Sequence, residues 1–76
     1  MVLVSIHTAF QKFIGTNQVQ PDRIEMSPRA YDKLKSELDR EQVDHIFLKE
    51  GGLPIEVVDA LEVPFRFKIE QKQNTR

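Results

Sequence analysis

The chain has 76 residues, is 39% apolar and 30% charged, carries a formal net charge of -1 and contains no cysteine. A chain of this length has room for one domain with one modest core, burying only about 60% of the surface that the unfolded chain exposes. The missing cysteine excludes disulfides, thiolate nucleophiles and thiolate metal sites, and the near-neutral charge excludes a global field that draws the protein to nucleic acid or an anionic membrane.

Residues 1–6 are apolar but far too short to span a bilayer, with no positive stretch before them and no cleavage pattern after them, so the expectation is a cytoplasmic protein that makes no use of a membrane. Ile6, Ala9, Phe10, Phe13 and Ile14 fall at helical spacing, which predicts a helix over 5–14 capped by Ser5 and closed by Gly15. An alternative keeps Val2 to Val4 as an edge strand leading into that helix. Residues 16–22 hold Asn17 and Pro21 and read as a loop. Arg23 to Met26 alternates charged and apolar residues, as a short strand does, with Ile24 and Met26 facing the core.

The principal helix follows at once, from Ser27 to Arg40. Ser27 is a good N-cap, Pro28 suits the first turn, and Tyr31, Leu34 and Leu38 recur along one face, opposite a charged face of Asp32, Lys33, Lys35, Glu37, Asp39 and Arg40. His45 to Lys49 and Leu53 to Val58 flank Gly51 and Gly52 and predict a β-hairpin, its turn lengthened by Glu50 and Pro54. Residues 63–69 alternate Val63, Phe65, Phe67 and Ile69 with Pro64, Arg66 and Lys68, the clearest strand pattern in the chain, and this strand is expected to meet Tyr31, Leu34 and Leu38. The fold class is therefore α+β: a small, mainly antiparallel sheet of three or four strands packed by one principal helix and an amino-terminal helix. Residues 1–70 form a single domain and 71–76 a flexible polar tail.

Chemistry-bearing residues are sparse. His7 and His45 stand in no recognised order with a nucleophile and at no metal-ligand spacing, and Glu56, Asp59 and Glu62 converge only under a particular fold. Gly51 and Gly52 lack the lysine, the serine or threonine and the helix start of a phosphate loop, so they serve a turn. The expectation is a non-enzymatic protein with no metal and no cofactor. From Phe65 onward, Arg66, Lys68, Lys72 and Arg76 face one acid, Glu70, which makes these four cations the candidate contact for weak, sequence-nonspecific nucleic-acid binding. Phe65 and Phe67 lie on the opposite face of that strand and supply no stacking platform beside them.

The leading expectation is a homo-oligomer or a complex with another protein. Val2, Val4, Ile6, Phe10, Phe13 and Ile14 are a large apolar load for one short segment, and any part that the monomer leaves exposed becomes an interface.

The segments IEMSPRAYDKLKSEL and HIFLKEGGLPIEVVDALEVP are similar to a pattern in small proteins of tailed bacteriophages and prophages. In that pattern a Ser-Pro pair opens a tyrosine-bearing helix, and a Gly-X-Pro-Ile/Val-X-Val strand leads to an acidic turn. The residues that carry the resemblance are Ile24, Met26, Ser27, Pro28, Tyr31 and Leu34, then Gly52, Leu53, Pro54, Ile55, Val57 and Asp59. It covers about half the chain, its motifs are structural, and it brings no catalytic residue. It implies a phage or prophage protein that works by association, in the host cytoplasm.

Overall fold

A computed structural model describes residues 1–49 and 51–69. The order is α1 (Val2–Asn17), β1 (Arg23–Met26), α2 (Pro28–Leu38), β2 (His45–Ile46), β3 (Leu53–Val57) and β4 (Phe65–Lys68). The four strands form one sheet in the order β2-β3-β1-β4. Its two outer pairs, β2 with β3 and β1 with β4, are antiparallel, while the central pair β1 and β3 is parallel. The architecture is α+β as expected, with a mixed sheet. The parallel pair arises because α2 and β2 together carry the chain from the end of β1 back to its start, a crossover that a hairpin cannot make.

The core is one cluster: Ile6 from α1, Ile24 and Met26 from β1, Ala30 and Leu34 from α2, then Val43, Ile46 and Leu53. Alternation along β1 sends Ile24 and Met26 to the helices and Arg23 and Glu25 to the other side, so both helices cover the same face. Among the described residues no helix or loop packs on the opposite face of the sheet.

α2 begins as its sequence dictates. The Ser27 hydroxyl accepts a hydrogen bond from the Ala30 amide at 3.1 Å, Pro28 occupies the first turn, and Leu34 is fully buried. It ends at Leu38, with Asp39 in the left-handed conformation at φ 56°, two residues short of the expected Arg40. Tyr31 is only half-buried, and its hydroxyl accepts from the Val43 amide at 3.1 Å and donates to the Val43 carbonyl at 3.0 Å. That pair of bonds fixes the loop leading into β2.

α1 is longer than the spacing predicts, and residues 2–4 are helical rather than an edge strand. Neither predicted terminator operates. Gly15 lies inside the helix, which closes at Gln18 with φ 60° and a bond from the Gln18 amide to the Ile14 carbonyl at 2.8 Å. At the other end Ser5 is not the cap. The Glu37 carboxylate of α2 accepts hydrogen bonds from the Val2 amide at 2.7 Å and the Leu3 amide at 2.9 Å, satisfying two of the orphan donors of the first turn. Those two bonds, led by the one from Leu3, hold the Glu37 carboxyl below its ordinary value of 4.5.

A carboxyl with a depressed folded-state pKa contributes stability that is fully present above its unfolded value and is lost as pH falls through the folded value. Glu37→Gln is therefore expected to lower the thermal midpoint at neutral pH and to flatten the acid limb of the midpoint-against-pH curve below 4.5. Parallel curves for the two proteins would contradict the cap.

β4 spans fewer residues than the expected 63–69, with Val63 and Ile69 exposed at its flanks. It packs under α1, and Phe65 and Phe67 also border the cluster that holds Leu34 of α2. The Phe67 ring lies 5.8 Å from Phe10 and 5.4 Å from Phe13, both on α1, and 6.1 Å from Phe65, in edge and tilted arrangements.

Candidate functional site

The open face of the sheet is where chemistry-bearing side chains gather. The registers Glu25↔Glu56 and Glu25↔Arg66 set three charged residues in a row across β3, β1 and β4, and Arg23↔Lys68 sets a second pair beside them. At the β2 end, His45 lies opposite Pro54 on the same face.

Within the charged row, Arg66 Nε donates to Glu25 Oε1 at 2.7 Å, Arg23 Nη2 lies 3.8 Å from Glu25 Oε2, and Arg23 Nε lies 3.0 Å from Glu56 Oε1. Charge alternates along this chain of contacts, Glu56, Arg23, Glu25, Arg66. Glu25 is only 6% exposed although it sits on the uncovered face, because the long stems of Arg23 and Arg66 lie around it. The Arg66 hydrogen bond, assisted by the charges of Arg66, Lys68 and Arg23, holds the Glu25 carboxyl below its ordinary value in spite of the opposing effect of burial. A carboxylate kept ionised and enclosed in this way fixes the geometry of its neighbours and is poorly suited to proton transfer near neutral pH.

The other feature of the face is Phe47. β2 is only two residues long, and the alternation that turns Ile46 into the core turns His45 and Phe47 outward. Phe47 is 80% exposed. Its ring lies over Gly52, where an added Cβ would come within 3.2 Å of Phe47 Cε1 and 3.1 Å of His45 Cβ. Gly52 also has φ 82°. The glycine turn thus closes the hairpin and provides the flat seat on which an aromatic ring is displayed to solvent.

The residues singled out from sequence are dispersed. Of the six apolar interface candidates, Ile6 and Phe10 are buried in the protein's own core, Val2, Phe13 and Ile14 are half-buried, and Val4 is 58% exposed. The helix spends most of its apolar load on its own fold, and Ile6 and Phe10 are not accessible to a partner. Of the nucleic-acid candidates, Arg66 is engaged by Glu25 and Lys68 is half-buried on the same face, while Lys72 and Arg76 lie outside the described residues, as does the rest of the predicted tail.

Asp59 lines an open groove of about 940 Å³ between the first turns of both helices and the 59–65 loop, with Arg29, Lys33, Glu37 and Glu62 also along it. Neither His45 nor Glu56 is among the residues that line this groove. His7 is exposed on α1 beside Gln11 at 3.4 Å. Among the described residues no group of three His, Asp or Glu is placed to hold a metal ion, and no helix is long and apolar enough to cross a membrane.

Phe47, Glu25 and Glu37 are the residues that sequence reasoning passed over. For Phe47 the signal was present: strict alternation around Ile46 next to a glycine pair puts the aromatic on the solvent side. Glu25 and Glu37 owe their roles to partners 41 and 34–35 residues away, which no local pattern announces.

Fold and site together define a small α+β domain with a mixed four-stranded sheet, one face of which is uncovered among the described residues. Comparison with known protein families, curated proteins and solved structures finds no match.

Proposed function

We propose that this is a small non-enzymatic protein-interaction or self-assembly module whose contact surface is the open face of its sheet, centred on Phe47. The observation that carries this reading is a large aromatic ring, 80% exposed and seated on a glycine where an added Cβ would crowd it at 3.2 Å. Aromatic anchors held in one orientation lose little freedom on binding and dominate interface energetics. This reading centres the contact on the face opposite the helices instead of on the amino-terminal helix, where Ile6 and Phe10 are buried. The resemblance carried by Ile24 to Asp59 supports a phage or prophage setting, where small subunits act by association. For the self-assembly form, the expected result is reversible association of the full chain that depends on Phe47. A chain that stays monomeric at high micromolar concentration removes that form and leaves binding to a different protein.

One observation favours a second reading, nucleic-acid binding: Phe47 and His45 share the exposed face with Arg23, Arg66 and Lys68, so the face does offer a ring for base stacking. Against it, Glu25 and Glu56 stand in the middle of the same face, and Arg66 is already committed to Glu25. That arrangement supports at most weak, strongly salt-dependent binding.

A further inference from the structure

β4 is an edge of the sheet, and its two sides differ in a way that selects what can be added to it. The Ser27 amide donates to the Pro64 carbonyl at 2.9 Å, and the register continues through Glu25↔Arg66 and Arg23↔Lys68. In an antiparallel pair, hydrogen-bonded positions alternate, so Arg66 and Lys68 exchange their backbone bonds with β1. The amides and carbonyls of Phe65 and Phe67 then point away from the sheet, a row of donors and acceptors with no strand beside it among the described residues.

On the helix side of this edge lie half-buried Phe13, Phe65 and Phe67, with Ile69 39% exposed beyond them. On the open side lie Arg66, whose side chain is 54% exposed despite its bond to Glu25, and half-buried Lys68, whose charge also acts on Glu25. The edge is thus apolar above and cationic below.

We infer that β4 accepts an extended segment of a partner protein by strand addition, the segment alternating apolar residues, which pack beside Phe13 and Phe67, with acidic residues, which face Arg66 and Lys68. The same charges disfavour a second copy of β4 as the occupant. Two-fold pairing about Phe67 sets Arg66 opposite Lys68 of the other copy, and pairing about Arg66 sets that cation against itself, whereas like charges directly opposite destabilise a strand pair. The edge is guarded against itself and complementary to an acidic strand. This deepens the protein-interaction reading and rests on it, but uses a surface separate from Phe47.

The test is a titration of the full chain with a short fluorescein-labelled peptide alternating valine and glutamate, followed by anisotropy and by amide chemical shifts. A peptide with lysine in place of glutamate and a single-stranded oligothymidylate serve as the other arms. The valine-glutamate peptide is expected to move the Phe65 and Phe67 amide resonances and to bind about tenfold more tightly than its lysine counterpart, two cross-strand charge pairs changing from attractive to repulsive. Lys68→Glu is expected to narrow or reverse that preference without unfolding the protein. Unmoved Phe65 and Phe67 amides, equal binding of the two peptides, or displacement of the peptide by oligothymidylate would each overturn the inference. Repeating the titration on Phe47→Ser separates the two surfaces. Unchanged peptide binding keeps the site at β4 whatever becomes of self-association, and lost binding places the peptide on the open face instead.

Discussion

Leu34→Ala is expected to cost about 2–5 kcal/mol of folding stability, the range for truncating a buried leucine where the surroundings cannot fully collapse. Leu34 is completely buried and belongs to the single cluster that joins α1, α2 and three strands, so the void opens where all the elements meet. A chain of this size has roughly 4–11 kcal/mol in total at about 0.05–0.15 kcal/mol per residue. The variant should therefore show a urea midpoint far below the parent's, or be largely unfolded at room temperature. Leu34→Met, which nearly conserves volume, should cost less than about 1.5 kcal/mol. If both variants unfold at the parent midpoint, Leu34 is not the centre of the core.

The second large effect is at the glycine pair. Gly51 and Gly52 both have positive φ, 88° and 82°, and an L-residue held in the left-handed region costs about 1–2 kcal/mol. Only Gly52 adds a packing conflict: its Cβ would meet His45 Cβ at 3.1 Å, close to the backbone and unable to swing away, whereas nothing lies within 4 Å of a Cβ at Gly51. Gly51→Ala is expected to lose about 1–2 kcal/mol and Gly52→Ala about 2–4 kcal/mol by chemical denaturation. The difference between the two isolates the seat beneath Phe47. Equal losses would mean that the ring does not rest there.

Where a local rule and the tertiary structure agree, the sequence is a sufficient guide. Ser27 and Pro28 start α2 as capping chemistry requires, Ile24 and Met26 face inward by simple alternation, and the hairpin forms around its glycines. The interior of α1 follows its apolar spacing. Its ends do not, because they are set by contacts from elsewhere: Glu37 arrives from α2 to satisfy the first turn, and Gln18 takes the left-handed position although Gly15 is available three residues earlier.

Strand order is the least legible feature. The apolar and polar positions of β1 and β3 are compatible with either direction of pairing, and only the crossover through α2 and β2 makes their neighbourhood parallel. The same ambiguity hid which helix covers β4. Phe67 has an apolar stripe available on either helix, and the sheet order places it beneath Phe10 and Phe13.

The candidate site was less legible than the fold for a related reason. The hairpin pattern of His45 to Lys49 does not say which of its apolar residues face the core, and β2 is so short that Ile46 turns inward while Phe47 is exposed. The apolar load of α1 pointed to surplus surface, yet Phe10 packs on Phe67 across 5.8 Å and Ile6 is wholly enclosed. Counting apolar residues measures what must be buried, and tertiary packing decides what is left over.

Sedimentation equilibrium of the full chain beside Phe47→Ser tests the central claim most directly. Phe47 is an exposed side chain, so the substitution is expected to leave stability within about 0.5 kcal/mol and to report on association alone. The self-assembly form of the account predicts a parent whose average mass rises reversibly above the 8.9 kDa of one chain with concentration, and a variant that remains at that mass over the same range. A parent and a variant that associate equally would contradict it, because the contact would then lie somewhere other than the face that carries Phe47.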